Sequence, residues 1–137
     1  MKYHITHTKQ DRNMLGYVTL GASDLASAIE FYRELTAALG WKQLMGTDRI
    51  VFFGSSMEQA TLAVCTPYDE QAPTAGNGTM VAFHGGSTEG VDALYAKAID
   101  LGATCDGAPG ERVPGVFYGA YVRDADGNKL CFCHFTI

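Results

Sequence analysis

Apolar and polar positions alternate along Gly16-Tyr-Val-Thr-Leu-Gly-Ala22, then shift to helical spacing at Leu25, Ala28, Ile29, Tyr32, Leu35 and Leu39. A period of two followed by a period near 3.6 predicts a strand and then an amphipathic helix. Ser23-Asp24 supplies capping oxygens at the junction, and Gly40 supplies the stop. The same switch recurs downstream. Thr79-Met-Val-Ala-Phe-His84 reads as a strand, Gly85-Gly86-Ser87 as a turn ending in a cap, and Val91, Leu94, Tyr95, Ala98 and Leu101 as an apolar helical stripe closed by Gly102. The spacing predicts helices near 24–39 and 87–101.

The two halves superpose. Sliding the first onto the second lays Tyr17 on Met80, Leu20 on Phe83 and Tyr32 on Tyr95. Leu62-Ala-Val-Cys65 matches Leu130-Cys-Phe-Cys133, and Ile50-Val-Phe-Phe53 faces Tyr118-Gly-Ala-Tyr121. Gly54-Ser-Ser and Asp124-Ala-Asp-Gly-Asn128 read as hairpin connections, the second with Asp-Gly at its centre. Matching helices and closing strands predict an internal duplication. The expected fold is α+β, two βαβββ repeats forming a curved mixed-sheet cup with the helices outside. The expected organisation is an N-terminal extension (1–13) and a single domain over 14–137, with repeat one at 14–66, a linker at 67–77 and repeat two at 78–137. The closing strand is expected over Lys129–Phe135. The Gly/Pro-rich stretch Asp106–Gly115 reads as a flap over the pocket.

Composition narrows the partners. The 137 residues are 47% hydrophobic and 18% charged, with a formal net charge of −5. These are globular values, and no basic stripe marks a nucleic-acid surface. No apolar run reaches the roughly 20 residues of a membrane helix, and the first residues lack a secretory apolar core. The four cysteines show no CxxC spacing. A cytoplasmic protein with reduced thiols is expected, with no nucleic-acid and no membrane partner.

Strand parity sorts the side chains. Val18, Leu20, Leu62, Val64, Val81, Phe83, Leu130 and Phe132 should pack beneath the helices. Tyr17, Thr19, Ala63 and Cys65 should line the cup from the first half. Met80, Ala82, His84, Tyr121, Cys131 and Cys133 should line it from the second. Arg49 and Phe53 share a parity that places them toward the cup. Tyr17, Phe53, Tyr118 and Tyr121 read as an aromatic wall, and Arg49 as a bidentate anchor for an anion. His84, Tyr121 and Cys131 are the candidate catalytic groups.

Tyr17-Val-Thr-Leu-Gly-Ala-Ser-Asp-Leu25 with Phe31-Tyr32, Met80-Val-Ala-Phe83, and Tyr121-Val-Arg-Asp-Ala-Asp-Gly-Asn-Lys-Leu-Cys131 resemble the motifs of the glyoxalase/bleomycin-resistance/extradiol-dioxygenase (vicinal oxygen chelate) superfamily. The resemblance covers 14–135. It implies a cup whose floor holds a divalent metal through histidines on the first strands and carboxylates on the last. This sequence carries Tyr17, Met80, Ala63 and Cys131 at those places. Methionine and alanine offer no hard donor. No family-type metal site and no cofactor are therefore expected. The expected function is binding of a small organic molecule in the cup. The alternatives are a metal-dependent lyase (lactoylglutathione lyase-like) or dioxygenase with non-standard ligands, and a drug-sequestering binder of the bleomycin-resistance type. A homodimer is expected from the open sheet edges and the habit of the resembled family.

Overall fold

A computed structural model describes residues 15–137; the expected extension over 1–13 lies outside the described residues. The chain runs β1 (Tyr17–Gly21), α1 (Leu25–Ala37), β2 (Lys42–Gly46), β3 (Ile50–Gly54), β4 (Thr61–Cys65), β5 (Val81–His84), α2 (Thr88–Asp100), β6 (Thr104–Val113), β7 (Phe117–Arg123) and β8 (Lys129–Phe135). This is strand, helix and three strands, twice. The closing strand has the expected bounds, and both helices fall where their stripes place them.

Local chemistry fixes the helix ends. Asp24 caps α1 by accepting from the Ser27 N–H at 3.2 Å. Ser87 caps α2 by accepting from the Gly90 N–H at 3.0 Å. Each cap satisfies an orphan donor of the first turn. Gly40 (φ +77°) and Gly102 (φ +103°) take the left-handed conformation past the last turns. At Gly90 the constraint is steric: a Cβ there would sit 1.9 Å from the Gly85 carbonyl oxygen.

Each half forms a four-stranded mixed sheet. The orders are β1-β4-β3-β2 in sheet A and β5-β8-β7-β6 in sheet B. β1 runs parallel to β4, with Val18 opposite Leu62. β5 runs parallel to β8, with Val81 opposite Leu130. The two pairings have the same register, so the duplication extends to the backbone. One apolar core joins the halves. Leu20, Leu62 and Val64 from sheet A meet Tyr32 and Leu35 of α1, while Phe83, Leu130 and Phe132 from sheet B meet Val91 and Leu94 of α2. Trp41 packs edge-on against Phe83 across the halves, centroids 5.9 Å apart.

Two expectations fail in the second half. The expected flap over Asp106–Gly115 is largely strand: β6 pairs antiparallel with β7 through Val113. Its glycines and Pro109 mislead because they sit at register shifts, including the one between Gly107 and Gly110. Bulges accept the conformations and the missing N–H that regular pairing rejects. Met80 precedes the strand instead of opening it, and stays 42% exposed.

No described helix is long and apolar enough to cross a membrane.

Candidate functional site

The faces turned away from the helices carry the candidate chemistry. On sheet A, Ala63 of β4 lies between Thr19 of β1 and Phe52 of β3. Tyr17 stands 53% exposed with its ring edge-on to Phe52, centroids 5.0 Å apart. Tyr17, Thr19, Cys65 and Arg49 line one cleft of about 560 Å³, walled by Pro67 to Thr74 of the linker. The Arg49 guanidinium donates to the Thr66 carbonyl at 3.0 Å and lies 5.4 Å from the Tyr68 ring centre.

Phe53 is not on this face. It is fully buried in the core. It pairs with Leu62, whereas Phe52 pairs with Ala63. The β3–β4 connection (55–60) is one residue longer than the β7–β8 connection (124–128). Aligning the halves without that residue shifts β3 by one, and a one-residue shift exchanges the faces of a strand. Tyr118 likewise leaves the expected aromatic wall. It packs against the core and donates its hydroxyl to Asp92 of α2 at 2.6 Å.

On sheet B, the pairs Arg123–Lys129, Tyr121–Cys131, Gly119–Cys133 and Phe117–Phe135 follow one another along β7 and β8. The intervening Ala120, Val122, Leu130 and Phe132 are in the core, so these eight residues share the open face. His84 approaches from β5, its Nδ1 4.0 Å from the Cys133 Sγ and its ring 6.5 Å from that of Phe135. The Tyr121 ring has two cations over it, Lys129 at 5.0 Å and Arg112 at 5.4 Å. Met80 lines a separate cleft of about 440 Å³ with Arg123 and Lys129.

The structure therefore groups Tyr17, Thr19, Arg49 and Ala63 on sheet A, and His84, Tyr121, Cys131 and Cys133 on sheet B. The sequence reading missed Phe52, Lys129, Phe117 and Phe135, and placed Arg112 only within the expected flap. Lys129 and Phe135 share the parity of Cys131, which was the available signal.

Electrostatics favour the protonated forms of the two sheet B thiols and the Tyr121 phenol. Burial, then the neighbouring Cys133, pushes the Cys131 thiol up to about 11. Burial also raises Cys133. The Tyr121 phenol is raised chiefly by burial and then by Cys131, with Arg112 opposing. A protonated thiol is a poor nucleophile. Iodoacetamide at pH 8 is therefore expected to modify exposed Cys105 first and to spare buried Cys65, Cys131 and Cys133 until the protein unfolds. Peptide mapping by mass spectrometry reads this out; rapid labelling of Cys131 in the folded protein would contradict the assignment.

The same facts test the divalent ion that the resemblance implies. Met80 and Ala63 have no hard donor, and Tyr17 leans on Phe52. Among the described residues, no three His, Cys, Asp or Glu side chains are placed to hold an ion. The residues present do not fit the metal.

Comparison with known proteins agrees with the architecture. The profile of the Glyoxalase/Bleomycin resistance protein/Dioxygenase superfamily matches residues 14–132. A glyoxalase/bleomycin resistance protein from Albidiferax ferrireducens T118 is 36% identical, with 89% of this chain and 98% of that chain covered and a TM-score of 0.80. A family enzyme from Burkholderia phytofirmans PsJN shares the fold at 20% identity, with 86% and 95% covered and a TM-score of 0.70. A mutant glyoxalase I from Zea mays shares it at 20% identity and a TM-score of 0.68, with 90% of this chain covering 44% of that one. Among curated proteins no match is found. With its duplicated βαβββ units and a family profile spanning nearly all the described residues, this chain belongs to the glyoxalase/bleomycin resistance protein/dioxygenase superfamily.

Proposed function

We propose that this protein binds a small organic molecule on its open sheet faces without a divalent metal, as a cytoplasmic homodimer. The observation that carries the reading is the chemistry at the four superfamily ligand positions. Tyr17, Ala63, Met80 and Cys131 replace an ion-binding set with a phenol, a methyl group, a thioether and a protonated thiol. What remains on the open faces is aromatic rings with a few cations beside them, which suits recognition of an organic body. Raised thiol and phenol pKa values favour binding over acid–base or nucleophilic chemistry at neutral pH. Of the candidates, Tyr121 thus acts as a contact to the ligand, with Cys131 packed beneath the face and His84 beside Cys133 and Phe135.

The dimer follows from what the chain leaves uncovered. β1, β2, β5 and β6 are sheet edges with unpaired backbone groups. A second copy on a two-fold axis covers such edges.

Elemental analysis of purified protein, joined to light scattering at micromolar concentration, tests both parts. The expected result is less than about a tenth of an equivalent of Mn, Fe, Co, Ni or Zn, and a mass twice 14.7 kDa. A stoichiometric divalent ion that survives dialysis would overturn the metal-free reading. A monomer would remove the dimer.

A further inference from the structure

The open face of sheet B is chemically graded. One end of the β7–β8 track carries Lys129 and Arg123, with Arg112 arching over the Tyr121 ring from β6. The middle carries the Tyr121 phenol and the Cys131 and Cys133 thiols. The far end carries the Phe117 and Phe135 rings, centroids 5.0 Å apart, with His84 beside them. At about 3.3 Å per residue, Lys129 to Phe135 spans about 20 Å. Gly119 lies in the middle of this track, opposite Cys133, and presents no side chain.

Charge at the first end is unbalanced. Asp106 takes ion pairs from Arg123 at 3.0 Å and from Lys129 at 3.5 Å. Arg112 has no ion-pair partner among the described residues; its Nη2 donates to the Ala108 carbonyl. Two cations thus share one carboxylate and a third pairs with none, on a chain whose formal net charge is −5. A local excess of cations against the overall sign marks a place where a negative group gains most. The planar fork of Arg112 retains donors suited to a carboxylate.

We infer that sheet B recognises an amphiphilic carboxylate, its head at Arg112 and Lys129 beside the Tyr121 hydroxyl and its apolar body running toward Phe117 and Phe135. This rests on the small-molecule reading above and adds to it the charge, polarity and direction of the ligand. It also disfavours cationic drugs as occupants of this face.

Three probes of one shape separate the possibilities: 4-phenylbutyrate, 4-phenylbutanol and 4-phenylbutylamine, each titrated into the full-length protein with backbone amide shifts recorded by NMR. The carboxylate is expected to shift the amides of Gly119, Tyr121, Cys131 and Cys133, and to bind at least about fivefold more tightly than the alcohol or the amine. The double variant R112Q/K129Q should weaken the carboxylate about tenfold, as loss of charge-assisted hydrogen bonds does, and leave the alcohol unchanged. Phe135→Ala, at a half-exposed position remote from the cations, should weaken all three by a similar factor. Alcohol or amine binding at the same residues as tightly as the carboxylate would overturn the inference while leaving a small-molecule site in place. Absence of any shift on either open face with all three probes would overturn this inference and the broader reading together.

Discussion

Replacing Asp124 with alanine is expected to destabilise the protein by about 3–4 kcal/mol, the largest effect for any single carboxylate among the described residues. Its side chain accepts four hydrogen bonds: from the Tyr32 hydroxyl at 2.5 Å, from the Asn128 Nδ2 and N–H at 2.9 Å each, and from the Asp126 N–H at 3.0 Å. Tyr32 is 1% exposed. Its phenol is held well above its ordinary pKa, chiefly by burial and then by the Asp124 charge. Removing the carboxylate leaves a buried hydroxyl and the donors of a tight turn without an acceptor, and each orphaned buried group costs about 1–3 kcal/mol. Tyr32→Phe removes one donor and leaves Asp124 with three, so its cost is expected near 1 kcal/mol. Urea unfolding of both variants at neutral pH checks the order. A loss below 1 kcal/mol for D124A, or equal losses for the two variants, would show that this turn is not a clasp.

The effect is large because the turn joins the halves. Asn128 donates from Nδ2 to the Gly21 carbonyl at 3.0 Å, and Ser23 donates through its N–H and hydroxyl to Asp126 at 3.0 and 2.7 Å. The start of α1 is therefore tied to the β7–β8 hairpin. The segment Asp124-Ala-Asp-Gly-Asn128 is legible in the sequence as a turn, because Asp and Gly carry that preference locally. Its partners lie some hundred residues earlier, and no local pattern announces them.

That division between local and distant information runs through the molecule. The helices were readable because their caps, stripes and glycine stops all lie within one stretch. The faces of β1, β4, β5 and β8 were readable because each alternates cleanly: Val18 and Leu62 inward, Thr19 and Ala63 outward. β6 was not readable, since Gly107, Pro109 and Gly110 carry loop preferences that only pairing with β7 overrides. The cationic end of sheet B was hidden for a related reason. A lysine opening a strand looks like a solvated charge until Asp106, Arg112 and Tyr121 are seen around it.

The one-residue offset in β3 yields a second large expected effect. Phe53→Ala should cost about 3–5 kcal/mol, because a fully buried phenylalanine in a continuous core leaves a cavity that its neighbours fill only in part. Phe52→Ala should cost about half as much. Its ring lies on the open face, covered mainly by a tyrosine that is itself 53% exposed and free to follow it. Coupling to Tyr17 separates the positions more sharply than stability alone. An edge-to-face pair contributes about 0.5–1.5 kcal/mol beyond its buried area, so the cycle of Tyr17→Ala with Phe52→Ala should show that interaction. The cycle with Phe53→Ala should show none, since Phe53 points to the opposite face. Urea midpoints of the two cycles decide it. Coupling of Tyr17 to Phe53 instead would mean that β3 is paired one residue out of the register that sets Phe52 opposite Ala63, and the open face of sheet A would have to be redrawn with it.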